Sequence, residues 1–345
     1  MKNFAMNILS WSIVMGLYFI VRFSGAESTP DWGSTTSGLL LLWVFSSIFL
    51  GFTFTISQNL SQKSIIRRRS YGFIILFKII VVFIALLIVG IASRILAVFE
   101  GYISWSELFP SFVSAFMSVP VMSAFLYLIA ASFVLAFIKQ MEDMIGSRVL
   151  YNLLIGKYHF PREESRIFMF LDMKSSTKHA ERLGHEKFCR LIQNCFSDLT
   201  DSVLKHSVEI YKYVGDEAVL TWELDEGFKD NNCIMVFFDF KKSLEERSSF
   251  YEEKYGFVPD FKAGVNMGVV TVAEIGDIKR EINYLSDVLN TAARIEGMCN
   301  EFDESLIVSA LIKDELTYDP NLTFVKHGFV KLRGKSRSLD IYGVK

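Results

Sequence analysis

Four apolar stretches in the first 138 residues, at about 5–23, 37–57, 71–93 and 112–138, constrain this chain more than any other feature. Each is close to the roughly 20 residues that an α-helix needs to cross the hydrocarbon core of a bilayer. A backbone in lipid must satisfy its own hydrogen bonds, so stretches of this length predict transmembrane helices. Charges inside them are few. Lys78 lies near one end of the third stretch, where it is expected to snorkel to the interface. Pro110 and Pro120 flank the start of the fourth and predict a kink there. The loops set the orientation. Loop 24–36 holds Glu27 and Asp31 and neither Lys nor Arg, whereas loop 58–70 holds Lys63, Arg67, Arg68 and Arg69. Loop 98–111 carries Glu100 and Glu107, Lys2 precedes the first stretch, and Lys139 follows the last. The positive-inside rule then predicts a multi-pass protein of the cell (plasma or inner) membrane with both termini in the cytosol. Ser24-Gly25-Ala26 also permits a signal-peptide reading of residues 1–26, and the three stretches left would still put the C-terminus inside.

Hydrophobic residues make up 51% of the 345, and the excess sits in this first part. The net charge of −2 averages over two unlike halves, and no basic block is large enough to suggest nucleic-acid binding. Four cysteines, Cys189, Cys195, Cys233 and Cys299, lie in the polar half without CxxC or zinc-ligand spacing, which predicts reduced thiols in a cytosolic domain.

Residues 139–164 read as a helical linker, with apolar spacing from Met141 to Leu154 and a break at Gly156 to Pro161. From 165 to 345 strands alternate with helices. Arg166 to Leu171 is an apolar run of strand length, followed by a helix from about Ser176 to Lys205. Val208–Tyr213 and Ala218–Glu223 flank Gly215-Asp216 and predict a hairpin. A charged helix over 230–255, a strand pair or long bent strand over 261–273, a helix over 287–299 and strands at 306–308, 322–333 and 337–344 complete an α+β, ferredoxin-like pattern of the βαββαβ type.

Asp172 ends the first apolar strand and Asp216 sits in the hairpin turn. A carboxylate leaving a buried strand is costly unless it is paired or binds a cation, and converging carboxylates suit Mg²⁺ or Mn²⁺. Asn290 and Arg294 share one face of the 287–299 helix, and Lys212 stands four residues before Asp216. Taken singly, each of these also fits an ordinary turn, surface or strand residue.

Together they resemble a family. Phe168-Met169-Phe170-Leu171-Asp172-Met173, Lys212-Tyr213-Val214-Gly215-Asp216-Glu217 and Asn290-Thr291-Ala292-Ala293-Arg294-Ile295 are similar in order and separation to motifs of the class III adenylate/guanylate cyclases. The resemblance covers about 165–345 and leaves the membrane half aside. It implies an active site at a head-to-tail dimer interface. Asp172 and Asp216, with the backbone carbonyl of Met173, would hold two Mg²⁺ or Mn²⁺ ions on one protomer. Its partner would supply Lys212 and Asn283 to read the purine, Asn290 for the ribose and Arg294 for the phosphate. Lys335, with Arg333 as the alternative, matches the segment that binds the triphosphate. Lys212 is the adenylate-type residue at its position. Asn283 departs from the usual Asp or Thr, as does Leu285-Ser286-Asp287 from the run that normally follows. The expected activity is conversion of ATP to cyclic AMP and pyrophosphate by a homodimer, with a guanylate cyclase or a catalytically silent nucleotide-binding homologue as alternatives. Short outer loops limit any regulator of the membrane half to a small or lipophilic ligand or another membrane protein.

Overall fold

The structure is a computed structural model that describes residues 2–23, 36–61, 66, 69–330 and 339–345. The chain divides into two compact units, Met1–Leu150 and Tyr151–Lys345.

The first unit is helical. α1 (Lys2–Phe23), α2 (Thr36–Ser61), α3 (Tyr71–Phe99), α4 (Leu108–Phe116) and α5 (Val119–Ile145) follow in order. Three segments, Phe4–Val21, Tyr71–Phe99 and Val119–Glu142, are long and apolar enough to cross a membrane. The stretch expected as one span at 112–138 is broken. Met117 and Ser118 separate α4 from α5, and Pro120, in the first turn of α5, has no N–H to continue a helix through that point. Lys78 is also not where its sequence position suggested. It is only 2% exposed, enclosed among the helices instead of reaching outward. Trp11, Met15, Leu50, Phe54, Val82 and Ala136 form the core of the unit. α1 and α2 approach closely because position 51 is glycine: a Cβ there would lie 2.8 Å from Cα of Ile8. Asn7 then donates from Nδ2 to Thr55 Oγ1 (2.9 Å) and Gln58 Oε1 (2.8 Å), a polar clasp between the two helices. Leu9, Ile13, Leu17, Ile84, Ile88 and Leu126 point outward, as side chains solvated by lipid would.

α5 ends at Gly146 (φ 95°), and a short α6 (Ser147–Leu154) follows. The linker helix expected over 141–154 is therefore interrupted, because an L-residue geometry cannot be carried through that glycine's backbone.

The second unit is built on β1 (Arg162–Met173), β2 (Glu209–Val214), β3 (Glu217–Glu223), β4 (Phe261–Ile275), β5 (Glu281–Leu285), β6 (Leu306–Ser309), β7 (Phe324–Val330) and β8 (Leu339–Val344). They form one sheet in the order β2-β3-β1-β4-β6-β8-β7, with β5 added to β4. The β2-β3-β1-β4 half is the ferredoxin-like arrangement. β1 is buried on both faces. Ile167, Met169, Leu171 and Met173 enter the larger core under α8 (His185–Lys205) and α9 (Asn232–Glu246), while Phe168 and Phe170 point to a smaller core on the other face. That explains a continuous apolar run in place of an alternating one. Two expected helices are each divided. α7 (Ser176–Leu183) is separated from α8 by Gly184 at φ 74°, and the helix over 230–255 splits at Arg247 into α9 and α10 (Ser248–Tyr255). β4 is a single long strand, and β5 was not anticipated.

α11 (Asp287–Gly297) lies on the smaller core through Ala292. It sits against β4 at Gly264, where a Cβ would be 2.2 Å from the backbone nitrogen of Glu296 and 2.6 Å from the carbonyl oxygen of Ala292. Gly264→Ala is expected to destabilise the second unit by about 1–3 kcal/mol, because two backbones must part to admit one methyl. Thermal unfolding of the full chain checks this; a melting temperature equal to the wild type would show that α11 moves freely on the sheet. All four cysteines are free, three of them buried.

Candidate active site

β1 delivers Asp172 to the face of the sheet that α11 covers, two residues beyond Phe170. Its antiparallel neighbour on β4 is Lys262, whose Nζ is 3.6 Å from Asp172 Oδ2 and 2.7 Å from Glu296 Oε1 of α11. Directly paired residues of neighbouring strands share a face, so this contact follows from the register. Asp216 arrives from the other side. Val214 pairs with Glu217, leaving Gly215-Asp216 as a two-residue turn with Gly215 at φ 64°. Asp216 Oδ2 is buried and accepts no hydrogen bond.

The electrostatics report a surplus of negative charge. Burial, then the charges of Glu296 and Asp216, push Asp172 up to about 6, and Lys262 offsets only part of this. Burial and the neighbouring carboxylates likewise push Glu217 up to about 7. Asp172 and Asp216 thus face each other with an orphaned buried oxygen between strands, which is the environment a divalent cation relieves. Among the described residues no group of three or more His, Cys, Asp or Glu side chains forms a complete cage. Two carboxylates fit Mg²⁺ better than a cage would, since that ion characteristically takes one or two protein carboxylates plus substrate phosphates.

A second cluster lies at β2 and β5. Lys212 Nζ donates to Asn283 Oδ1 at 3.1 Å and lies 3.4 Å from Glu281 Oε2. Tyr211 Oη donates to the same Asn283 oxygen at 3.0 Å. The two residues expected to read the purine therefore meet in space although 71 positions apart. Asn290 is exposed on α11, Arg294 is partly exposed one turn later, and neither makes a hydrogen bond or ion pair among the described residues. The opposite side of that helix, Ala292, Ile295 and Glu296, is buried. Met173 ends β1 with its side chain in the larger core. Arg333 and Lys335 lie outside the described residues.

Sequence reasoning did not find Lys262, Glu296, Glu217, Tyr211 or Glu281. The one available hint was chemical: Lys262 interrupts an apolar strand, and a charge in such a place needs a partner.

Residues 160–344 match the model of the adenylate and guanylate cyclase catalytic domain. This match spans more than half of the chain, and the chain belongs to that family. It is 34% identical over 192 residues to adenylate cyclase 2 of Rhizobium meliloti (strain 1021), covering 56% of this chain and 53% of that protein. It is 25% identical over 189 residues to adenylate cyclase 1 of the same organism, covering 51% and 27%. The chain thus spans about half or less of the curated relatives it matches. Its fold is similar to that of a bacterial light-regulated adenylyl cyclase, with a TM-score of 0.54, 20% identity, and coverage of 66% of this chain and 65% of that one.

Proposed function

We propose that this chain is a membrane-anchored adenylate cyclase that converts ATP to 3′,5′-cyclic AMP and pyrophosphate at a homodimer interface. The observation that carries the reading is the contact between Lys212 and the carbonyl oxygen of Asn283. It places a donor beside an acceptor, the complement of adenine, whose N1 accepts and whose N6 amine donates. Guanine presents the reverse pair.

In this reading Asp172, Asp216 and the backbone carbonyl of Met173 would hold two Mg²⁺ or Mn²⁺ ions. Such ions, when bound, lower the pKa of the ribose 3′-hydroxyl and neutralise phosphate charge. The 3′-oxygen then bonds to the α-phosphorus, the bond to the bridging oxygen of pyrophosphate breaks, and the hydroxyl proton leaves to solvent. Asn290 orients the ribose. Arg294 stabilises the charge that grows on the phosphate, where a guanidinium gives paired, charged hydrogen bonds. Arg333 or Lys335 would hold the triphosphate. Asn290 and Arg294 make no hydrogen bond or ion pair among the described residues, which supports their use by a second copy.

The helices of the first unit serve as the anchor. With α2 as a further span, four crossings would put both termini and the cyclase domain in the cytosol, where ATP is. Holding two copies in one membrane raises their effective concentration. A small or lipophilic ligand, or a membrane protein, acting on those helices would regulate the enzyme by realigning the dimer.

The test is an assay of the purified full chain with ATP and with GTP, each in Mg²⁺ and Mn²⁺. Cyclic AMP as the main product is expected. Cyclic GMP as the main product would overturn the reading of Lys212 and Asn283 but keep the chemistry. No cyclic product from folded dimer would leave a silent nucleotide-binding homologue.

A further inference from the structure

β2 and β3 do not pair evenly. Their register slips between Ile210 and Lys212, so Tyr211 occupies a bulge. In a regular strand, residues 211 and 212 would point to opposite faces. A bulge re-aims a side chain, and here both side chains reach one atom, Asn283 Oδ1. Tyr211 is held in place by its edge-on contact with Tyr284, ring centres 4.9 Å apart at 80°. Asn283 is carried on β5 opposite Ala273, and its Nδ2 lies 3.4 Å from the backbone oxygen of Glu281.

We propose that Tyr211 is a specificity-positioning residue, which locks the Asn283 carboxamide with its oxygen toward the purine edge and so sets the preference for adenine. The inference rests on the base-reading corner proposed above. A carboxylate at position 283 would need no lock, because both of its oxygens accept. A carboxamide has two unlike ends, and turning it over exchanges an acceptor for a donor. Lys212 cannot accept, so in the free protein it also favours the observed orientation. On nucleotide binding Lys212 must turn to adenine N1, and the N6 amine takes its place at Asn283 Oδ1. Tyr211 is then the remaining donor that holds the amide. Guanine, with oxygen at C6, asks for the turned amide, in which the Tyr211 hydroxyl can no longer donate to residue 283 but must accept from it, and Oδ1 meets the Glu281 carbonyl oxygen in place of Nδ2.

The experiment compares kcat/KM for ATP and GTP in the full-length wild type, Tyr211→Phe, Asn283→Asp and the double variant. Phenylalanine keeps the ring contact with Tyr284 and removes only the hydroxyl. Tyr211→Phe is expected to lower the ATP-to-GTP ratio about tenfold, the size of one net hydrogen bond. In the Asn283→Asp background it is expected to leave that ratio unchanged. An equal fall for both nucleotides, or the same shift in both backgrounds, would overturn the proposal. Competition of ATP and of GTP against a ribose-tagged fluorescent ATP reads the same ratio without turnover. A wild type that makes no cyclic product would defeat the cyclase reading, while the pattern of competition would still decide the role of Tyr211.

Discussion

Asp172→Asn protein is expected to lose cyclase activity about a thousandfold and yet, without metal at pH 7.5, to melt at a higher temperature than the wild type. The loss follows from removing one of two convergent carboxylates that would hold the catalytic metals, an effect of the size seen when transition-state charge loses a fixed partner. The gain follows from the surroundings. Asp172 is pushed up from 3.8 to about 6 by burial and by Glu296 and Asp216. A rise of that size corresponds to a penalty of at most about 3 kcal/mol on keeping the group ionised. Sharing within the cluster and partial exposure reduce it to about 1–2 kcal/mol.

The pH dependence has a definite sign. A carboxyl whose folded value is raised binds its proton more tightly in the native state. The metal-free wild type is therefore most favoured by these groups below about pH 4, and loses that contribution as pH rises through the 6 to 7 where Asp172 and Glu217 titrate. Asp172→Asn should flatten the slope between pH 5 and 8. Added Mn²⁺ should raise the melting temperature of the wild type and leave the variant nearly unmoved. A variant that melts lower than the wild type across this whole range would show that Asp172 is a structural residue.

Mixing Asp172→Ala protein with Arg294→Ala protein is expected to restore activity that neither has alone. If one protomer supplies the aspartates and its partner the arginine, each mixed dimer contains one intact site and one doubly damaged site. Random pairing at equal amounts makes half of the dimers mixed, each with half of its sites active, so recovery to about a quarter of the wild-type rate is expected. Co-expression, with separate tags to isolate the mixed dimers, makes the measurement clean. Mixed dimers without activity would mean that both residues act within one chain. The free face of α11, with Asn290 exposed and Arg294 unpaired among the described residues, is the structural reason to expect the first outcome.

How much of this was readable beforehand depended on the range of the interaction. Asp172 and Asp216 drew notice because a carboxylate leaving a buried strand is costly and Gly-Asp between β-prone runs is a turn, although each alone also fits an ordinary turn residue and only the three motifs together singled them out. The ferredoxin-like order followed from the alternation of elements. The breaks at Gly184 and Arg247 were not visible: glycine is tolerated in helical patterns, and Arg247 has ordinary helix propensity. β5 was missed because five residues are too few to carry a clear periodic pattern. Lys262 and Glu296 could not be joined without the register of β1 on β4, and the bulge at Tyr211 is a property of pairing that no local run of residues encodes. Lys78 reads as a charge at the end of a span, and only the packed helical unit shows it buried.

Asn290 and Arg294, unpartnered among the described residues, also bear on heredity. Where two sites each draw on both copies, a chain that lacks Asp172 and Arg294 together spoils both sites of any dimer it enters. Such an allele would not behave as a simple loss. Expressed beside a normal copy, it would act in a dominant fashion, withdrawing sound chains from service in proportion to its dose.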